Sequence, residues 1–247
     1  MKKLIILIAV LVPMLVLAQN EETRSLQSFS EVSVSQSIKL VLVKGSENKA
    51  VVSTEGELED VLTEVSGNTL SVKKASKYGW SSGNDKVEVR VTYTDNLNEL
   101  KASSSAQLEV EGTMASSNIE VKASSSAYIS FKATADAITI AASSSGNVSA
   151  DIQAEEAMIK VSSSGKIDLI GNATVLEAAA SSSGKVRGNE FSCNKADLAA
   201  SSSGSISVAV KDELKASASS SGRVVYNGNP RVKEMNASSG GKVKSAE

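Results

Sequence analysis

The feature that most constrains this chain is a short segment that returns in step. Ala102-Ser-Ser-Ser-Ala106 and Ala123-Ser-Ser-Ser-Ala127 come first, followed by Ala142-Ser-Ser-Ser-Gly146, Val161-Ser-Ser-Ser-Gly165 and Ala180-Ser-Ser-Ser-Gly184. Ala200-Ser-Ser-Ser-Gly204, Ala218-Ser-Ser-Ser-Gly222 and the variant Ala237-Ser-Ser-Gly-Gly241 complete the series. Successive copies lie 21, 19, 19, 19, 20, 18 and 19 residues apart. Flexible serine-rich linkers separate blocks of arbitrary length and hold nothing in phase. A period kept through so many copies is instead the mark of a repeat architecture.

The residues flanking each copy keep the same phase. Two places beyond the last residue of each corner stand Leu108, Ile129, Val148, Ile167, Val186, Ile206, Val224 and Val243. On the approach to the corner, the corresponding residues are Leu100, Val121, Ile140, Ile159, Ala178, Leu198, Ala216 and Met235. Polar residues alternate with them, as Glu120 and Lys122 do in one repeat and Lys166 and Asp168 in another. Alternation with period two is the pattern of a half-buried strand. Each repeat therefore reads as a coil with one strand entering the Ser-rich corner and another leaving it.

A coil of this size cannot bury its inward side chains alone, whereas like coils stacked about 4.8 Å apart can. The predicted fold is all-β, a parallel β-helix of about 19-residue coils. It is expected to be right-handed, as parallel crossovers are. The recurring alanine before the corner suits a narrow interior. Glycine after the serines is expected to supply the positive φ of the turn. The serine column is expected to act as a structural ladder, its hydroxyls bonding to each other and to turn backbone.

Composition agrees with this design and removes several functions. Aromatic residues make up only 3% of 247, so the core must be Val, Ile, Leu and Ala. Cys193 is the only cysteine, which excludes an intrachain disulfide, and histidine is absent. Ser-His-Asp and Cys-His catalysis are thereby excluded, as is the commonest metal ligand. No cofactor is expected. No basic cluster of the nucleic-acid-binding kind stands out.

The first residues read as a signal for export. Lys2 and Lys3 precede the apolar run Leu4 to Leu17, and Val16-Leu17-Ala18 offers small residues before a cleavage point at Gln19. That order is a secretory signal peptide over residues 1–18, and its apolar run is short for a membrane span. Without Lys2 and Lys3 the chain keeps 24 basic against 28 acidic residues, a net charge of −4. Residues 19–26 then read as a leader, 27–96 as irregular β-rich capping coils, and 97–247 as the regular repeats. Within the capping part, Val32–Val34, Ile38–Val43, Ala50–Thr54 and Val87–Tyr93 read as strands, and Leu58–Val72 as a hairpin about Gly67. Tyr78-Gly-Trp-Ser-Ser-Gly-Asn84 is an irregular excursion.

Several of these segments resemble one known family. Ser28-Phe-Ser-Glu-Val-Ser-Val34, Ile38 to Val43, Ser66-Gly-Asn-Thr-Leu-Ser-Val72 and Val87 to Tyr93, followed by repeated Ser-Ser-Gly-x-Ile/Val corners, are similar to the head GIN domain family of autotransporter adhesins. The resemblance covers about residues 27 to 228. It implies an exported bacterial β-helix of the Gram-negative envelope and brings no functional residues with it.

No catalytic, cofactor or metal site is expected from the residues themselves. A lysine-activated serine could be sought near Lys166 or Lys185, but both occupy an outward position that recurs as Gln107, Tyr128, Asn147, Ser205 and Arg223. The acids Glu155-Glu156, Asp168 and Asp212-Glu213 read as solvated charges. Tyr78, Trp80, Tyr93, Tyr128 and Phe131 are too dispersed in sequence to make a sugar platform; Trp80, in its loop, is the best recognition candidate among them. Three functions follow. The first is a non-enzymatic adhesin-like or structural protein of the periplasm or cell surface, with a cell-surface glycan or envelope protein as partner, and neither nucleic acid nor a membrane span. The second is a polysaccharide-active lyase or hydrolase, which would show a groove of clustered Asp, Lys or Arg. The third is an ice or mineral binder, which would need outward serines in a flat lattice.

Overall fold

The computed structural model describes residues 20–75 and 86–246. The segment read as a signal peptide and the Tyr78–Asn84 excursion, Trp80 included, lie outside the described residues. Among the described residues, apart from one 3-10 turn at Leu58–Asp60, regular structure is entirely β. In chain order, β1 (Asn20–Ser25), β2 (Glu31–Val34), β3 (Lys39–Lys44), β4 (Lys49–Thr54), β5 (Val61–Ser66), β6 (Thr69–Lys74) and β7 (Val87–Tyr93) precede the repeats. β8 (Glu99–Ala102), β9 (Gln107–Ala115) and β10 (Asn118–Ala123) begin the repeats. They continue as β11 (Tyr128–Ala142), β12 (Asn147–Val161), β13 (Lys166–Ala180), β14 (Lys185–Ala200) and β15 (Ser205–Ala218). β16 (Arg223–Asn227), β17 (Val232–Ala237) and β18 (Lys242–Ser245) end the chain.

The long strands pair in parallel, each with the next, so that Ile140 lies over Ile159, Ile159 over Ala178 and Ala178 over Leu198. This is the parallel β-solenoid that the repeat predicts. From β11 to β15 the two strands expected in each coil are one, running from corner to corner, and β16 and β17 are again separate. In β11 the buried positions are Ile129, Phe131 and Ala133, then Ile138, Ile140 and Ala142. The alternation slips by one residue around Ala135–Ala137, and the strand bends there. Coils of unequal length absorb their differences away from the Ser corner. Register shifts fall between Ser130 and Lys132 against β9, and between Gly188 and Ser192 in β14.

The core is the set of apolar columns read from the repeat. Leu100, Val121, Ile140 and Ile159 are fully buried, as are Leu108, Ile129 and Ile167. At about 25 cal/mol per Å² of apolar surface, each such side chain stabilises the stack by roughly 1.5–3 kcal/mol relative to exposure.

The corners differ from expectation in two ways. Positive φ belongs to the second and third serines, for example Ser182 at 47° and Ser183 at 63°, and not to the glycine that follows. Gly184 N–H donates to the Ser181 carbonyl at 2.8 Å. Two successive positive φ values closed by that bond are the pattern of a type I′ turn. In the corners that carry it, from Gly146 onward, the glycine answers a different need. A Cβ on Gly204 would stand 2.3 Å from the Ala180 carbonyl oxygen of the preceding coil. The serine ladder is likewise a backbone ladder: Ser183 N–H donates to the Ser202 carbonyl and Ser203 N–H to the Ser220 carbonyl, each at 3.0 Å. The second and third serines are exposed. Among the described residues, no hydroxyl of a Ser-Ser-Ser corner has a hydrogen-bond partner.

The N-terminal third is interleaved with the stack. β2 lies between β6 and β8, and β3 between β7 and β9, all in parallel. Val34-Ser-Gln-Ser-Ile38 is thus a ninth corner, with φ of 63° at Gln36 and 59° at Ser37, and Ser37 N–H bonds to the Ser104 carbonyl. β5 turns back along β6 about Gly67, and β4 pairs antiparallel with β7. Residues 20–25, read from the sequence as leader, form the edge strand β1 on β4. These antiparallel strands cover that end of the stack. At the other end, every residue of β17 is exposed, and Met235, expected in an apolar column, is 47% exposed because no described strand pairs with β17 on its far side.

Candidate functional site

A solenoid offers chemistry wherever its outward residues line up, because residues in register on successive coils stand about 4.8 Å apart. Several charged residues of the walls use that proximity to neutralise one another. Lys39 meets Glu88 at 2.9 Å, Lys132 meets Asp151 at 3.3 Å and Lys195 meets Glu213 at 3.0 Å. Lys215 meets Asp197 at 3.2 Å. Arg90 grips Glu111 through both guanidinium ends at 3.0 and 2.7 Å, and Glu111 raises the Arg90 pKa. Lys101 and Lys122 are stacked like charges, but Glu99 lies 2.7 Å from the first and Glu120 2.6 Å from the second. The Lys122 hydrogen bond holds the Glu120 carboxyl below its usual pKa.

The acids singled out from the sequence fall within this scheme or stand alone. Asp168 is held by Arg187 at 2.5 and 2.8 Å, and that contact raises the arginine pKa. Asp212 lies 3.7 Å from Arg231. Glu155 and Glu156 are exposed at the bend of β12, where Glu155 joins Ser116, Ser117, Asp136 and Gln153 around an open depression of about 460 Å³. Among the described residues there is no group of three His, Cys, Asp or Glu side chains placed to hold a metal.

Among the aromatic candidates, Tyr93 and Phe131 are buried in the core, and burial raises the Tyr93 pKa. Tyr128 is 43% exposed. Cys193 is fully buried at the second bend, its Sγ 3.5 Å from the Ala209 carbonyl, and burial pushes its pKa up to about 12. A thiol in that state is a core residue and not a nucleophile.

The outward position that contains Lys166 and Lys185 is a continuous column. Its register runs Lys39, Gln107, Tyr128, Asn147, Lys166, Lys185, Ser205, Arg223 and Lys242. Neither lysine touches a serine hydroxyl, so the lysine–serine arrangement is not assembled. The sequence period identified the membership of this column. Its electrostatic state follows from where each neighbouring carboxylate goes, which only the folded chain specifies.

Comparison with known proteins agrees with this architecture. A protein from Parabacteroides merdae described as a "putative adhesin" superposes with a TM-score of 0.84 at 17% identity, covering 93% of this chain and 96% of that one. One from Parabacteroides distasonis with the same description gives 0.81 at 17% identity, covering 93% and 97%. A second P. distasonis structure, described as a "putative lipid binding protein", gives 0.74 at 21% identity, covering 92% and 97%. At these identities the likeness is one of fold. No curated protein matches the chain. The family described as "Putative auto-transporter adhesin, head GIN domain" matches residues 28–230, and this chain belongs to that family.

Proposed function

We propose that this is an exported, non-enzymatic β-helical protein of the periplasm or cell surface that works as an adhesin-like binding scaffold. The observation that carries the reading is the wall chemistry. Outward residues are displayed at a fixed spacing on a rigid stack, while the wall carboxylates Glu88, Asp151, Asp168 and Glu213 are engaged by cations of neighbouring coils. A scaffold of that kind recognises a long partner by repetition, and a cell-surface glycan is the partner it suits best, with an envelope protein as the alternative. Export rests on Lys2, Lys3, the apolar run to Leu17 and the small residues before Gln19. Family membership agrees with a surface role. Among the described residues no helix is long and apolar enough to cross a membrane.

The polysaccharide-cleaving alternative needs two carboxylates free to act as acid and base or nucleophile. Asp168, Asp212 and Glu213 are each held by a cation, which leaves them poorly suited to that work. Asp136 and Glu155 at the open depression, and the adjacent Glu156, are exposed to solvent, without the burial that holds a carboxyl protonated as a general acid. The exposed serine rows lie on the turn itself, two residues wide, and do not make the flat lattice an ice or mineral binder uses. Cell fractionation together with a glycan array tests the proposal. Recovery in the envelope or medium with glycan or whole-cell binding supports it. Cytoplasmic retention, or depolymerisation of a polysaccharide at an enzymatic rate, overturns it.

A further inference from the structure

The column that leads from Tyr128 to Lys242 stacks like charges on one another. Lys166 lies directly beside Lys185, and Arg223 directly beside Lys242, with Lys244 one outward position further along beside Val225. All five cations are exposed, and among the described residues none has a carboxylate within 4 Å. The acid next to Lys166 along its strand, Asp168, is already gripped by Arg187 through both oxygens. Like charges directly opposite one another on a sheet destabilise it. The comparable pair Lys101 and Lys122 is relieved by Glu99 and Glu120, and no such relief exists here.

The surroundings of this row are those of a sugar site. Ser205 and Asn147 stand within the column, and the exposed third serines Ser164, Ser183 and Ser221 each lie two residues before one of its cations. Among the described residues those hydroxyls have no partner, so they are free to bond to ligand hydroxyls. Tyr128, the exposed aromatic of the column, offers a ring face at its other end. From Tyr128 to Lys242 there are six coil steps, about 29 Å at the usual strand spacing. A straight row of that length, one side chain wide, fits an extended chain carrying charge at regular intervals. The acidic net charge of the whole protein opposes a general affinity for polyphosphates.

We propose that the Tyr128–Lys242 column is a binding row for an acidic polysaccharide, with Lys166, Lys185, Arg223 and Lys242 meeting its carboxylates and the corner serines its hydroxyls. This rests on the binding-scaffold reading above and names the class of glycan and the wall that takes it. Polygalacturonate is the test polymer, and its fully methyl-esterified form is the uncharged control, with binding followed by calorimetry at low and high salt. Wild-type protein is expected to bind polygalacturonate, more weakly as salt rises, and to leave the ester unbound. The K166Q/K185Q/R223Q variant removes three exposed ion contacts, each worth only a few-fold, and should weaken binding about tenfold or more. K122Q/K160Q/K215Q removes the same charge from the opposite wall and should bind as wild type. Thermal unfolding checks that both variants fold.

Equal losses in the two variants overturn the assignment, as does equal binding of the ester. Row-dependent capture of duplex DNA or phosphatidylglycerol vesicles at similar strength overturns it too, since the row would then recognise charge alone. If wild-type protein binds neutral glycans but not polygalacturonate, this inference fails and the scaffold reading stands. If it binds no glycan and no cell, both fail.

Discussion

Serine at two successive positive-φ positions is an unusual choice. Left-handed backbone costs an L-residue about 1–2 kcal/mol, and Asn-Gly is the ordinary solution for a type I′ turn. Replacing Ser182 with Asn and Ser183 with Gly, at φ of 47° and 63°, should therefore raise stability by about 1 kcal/mol, read from the urea midpoint. The glycine that follows behaves oppositely. Gly204→Ala places a methyl against the Ala180 carbonyl and should cost about 2–4 kcal/mol by the same measurement, since rigid backbone and not a movable side chain stands in the way. Cys193 supplies a pH dependence. Its folded pKa of about 12 lies above the ordinary 9.0, so its contribution to stability is complete below pH 9 and is lost as pH rises from there towards 12. The slope from this one group is at most about 1.4 kcal/mol per pH unit. Cys193→Ala, beside Ala173 in the same column, should flatten the loss between pH 9 and 11. In the native protein the thiol should resist alkylation at pH 8 until denaturant is added.

At the scale of the strand, stability resides in the inward columns far more than in the outward ion pairs. Ile159→Ala removes a fully buried side chain stacked between Ile140 and Ala178 and should cost about 2–5 kcal/mol. Asp168→Asn breaks a two-point contact with Arg187, but both side chains are about half exposed, so the loss should stay below about 1 kcal/mol. Calorimetric unfolding of the two variants side by side checks the contrast. The pairing of β2 and β3 between two later coils was not legible from the sequence, although both were read as strands. Each has the same alternation as the rest, and alternation states which face is buried without naming the partner.

At the scale of the molecule, the two ends are unlike. β4 and β5 run antiparallel along β7 and β6, while β17 and β18 follow β15 and β16 and pair with no further strand among the described residues. A solenoid is held by contacts between neighbouring coils, so a coil with one neighbour opens first. Hydrogen exchange should therefore release the amides of Val232–Ala237 and Lys242–Ser245 well before those of β12 and β13. Protection of equal strength at both places would mean that something covers the C-terminal end in solution.

The period of the corners and the phase of Val, Ile and Leu around them determined the solenoid, the strand faces and the outward column of Lys166 and Lys185. Those properties are local: a repeat that puts like residues at like places leaves one way to bury them all. Tertiary structure alone decided what depends on contacts between coils. Glycine was expected for its φ and is needed for a close approach, two causes that select the same residue in a sequence. The serines were expected to bond through their hydroxyls and do so through their backbone. Whether a cation is neutral or bare was decided by register, because a carboxylate such as Asp168 satisfies only the partner the stack sets beside it.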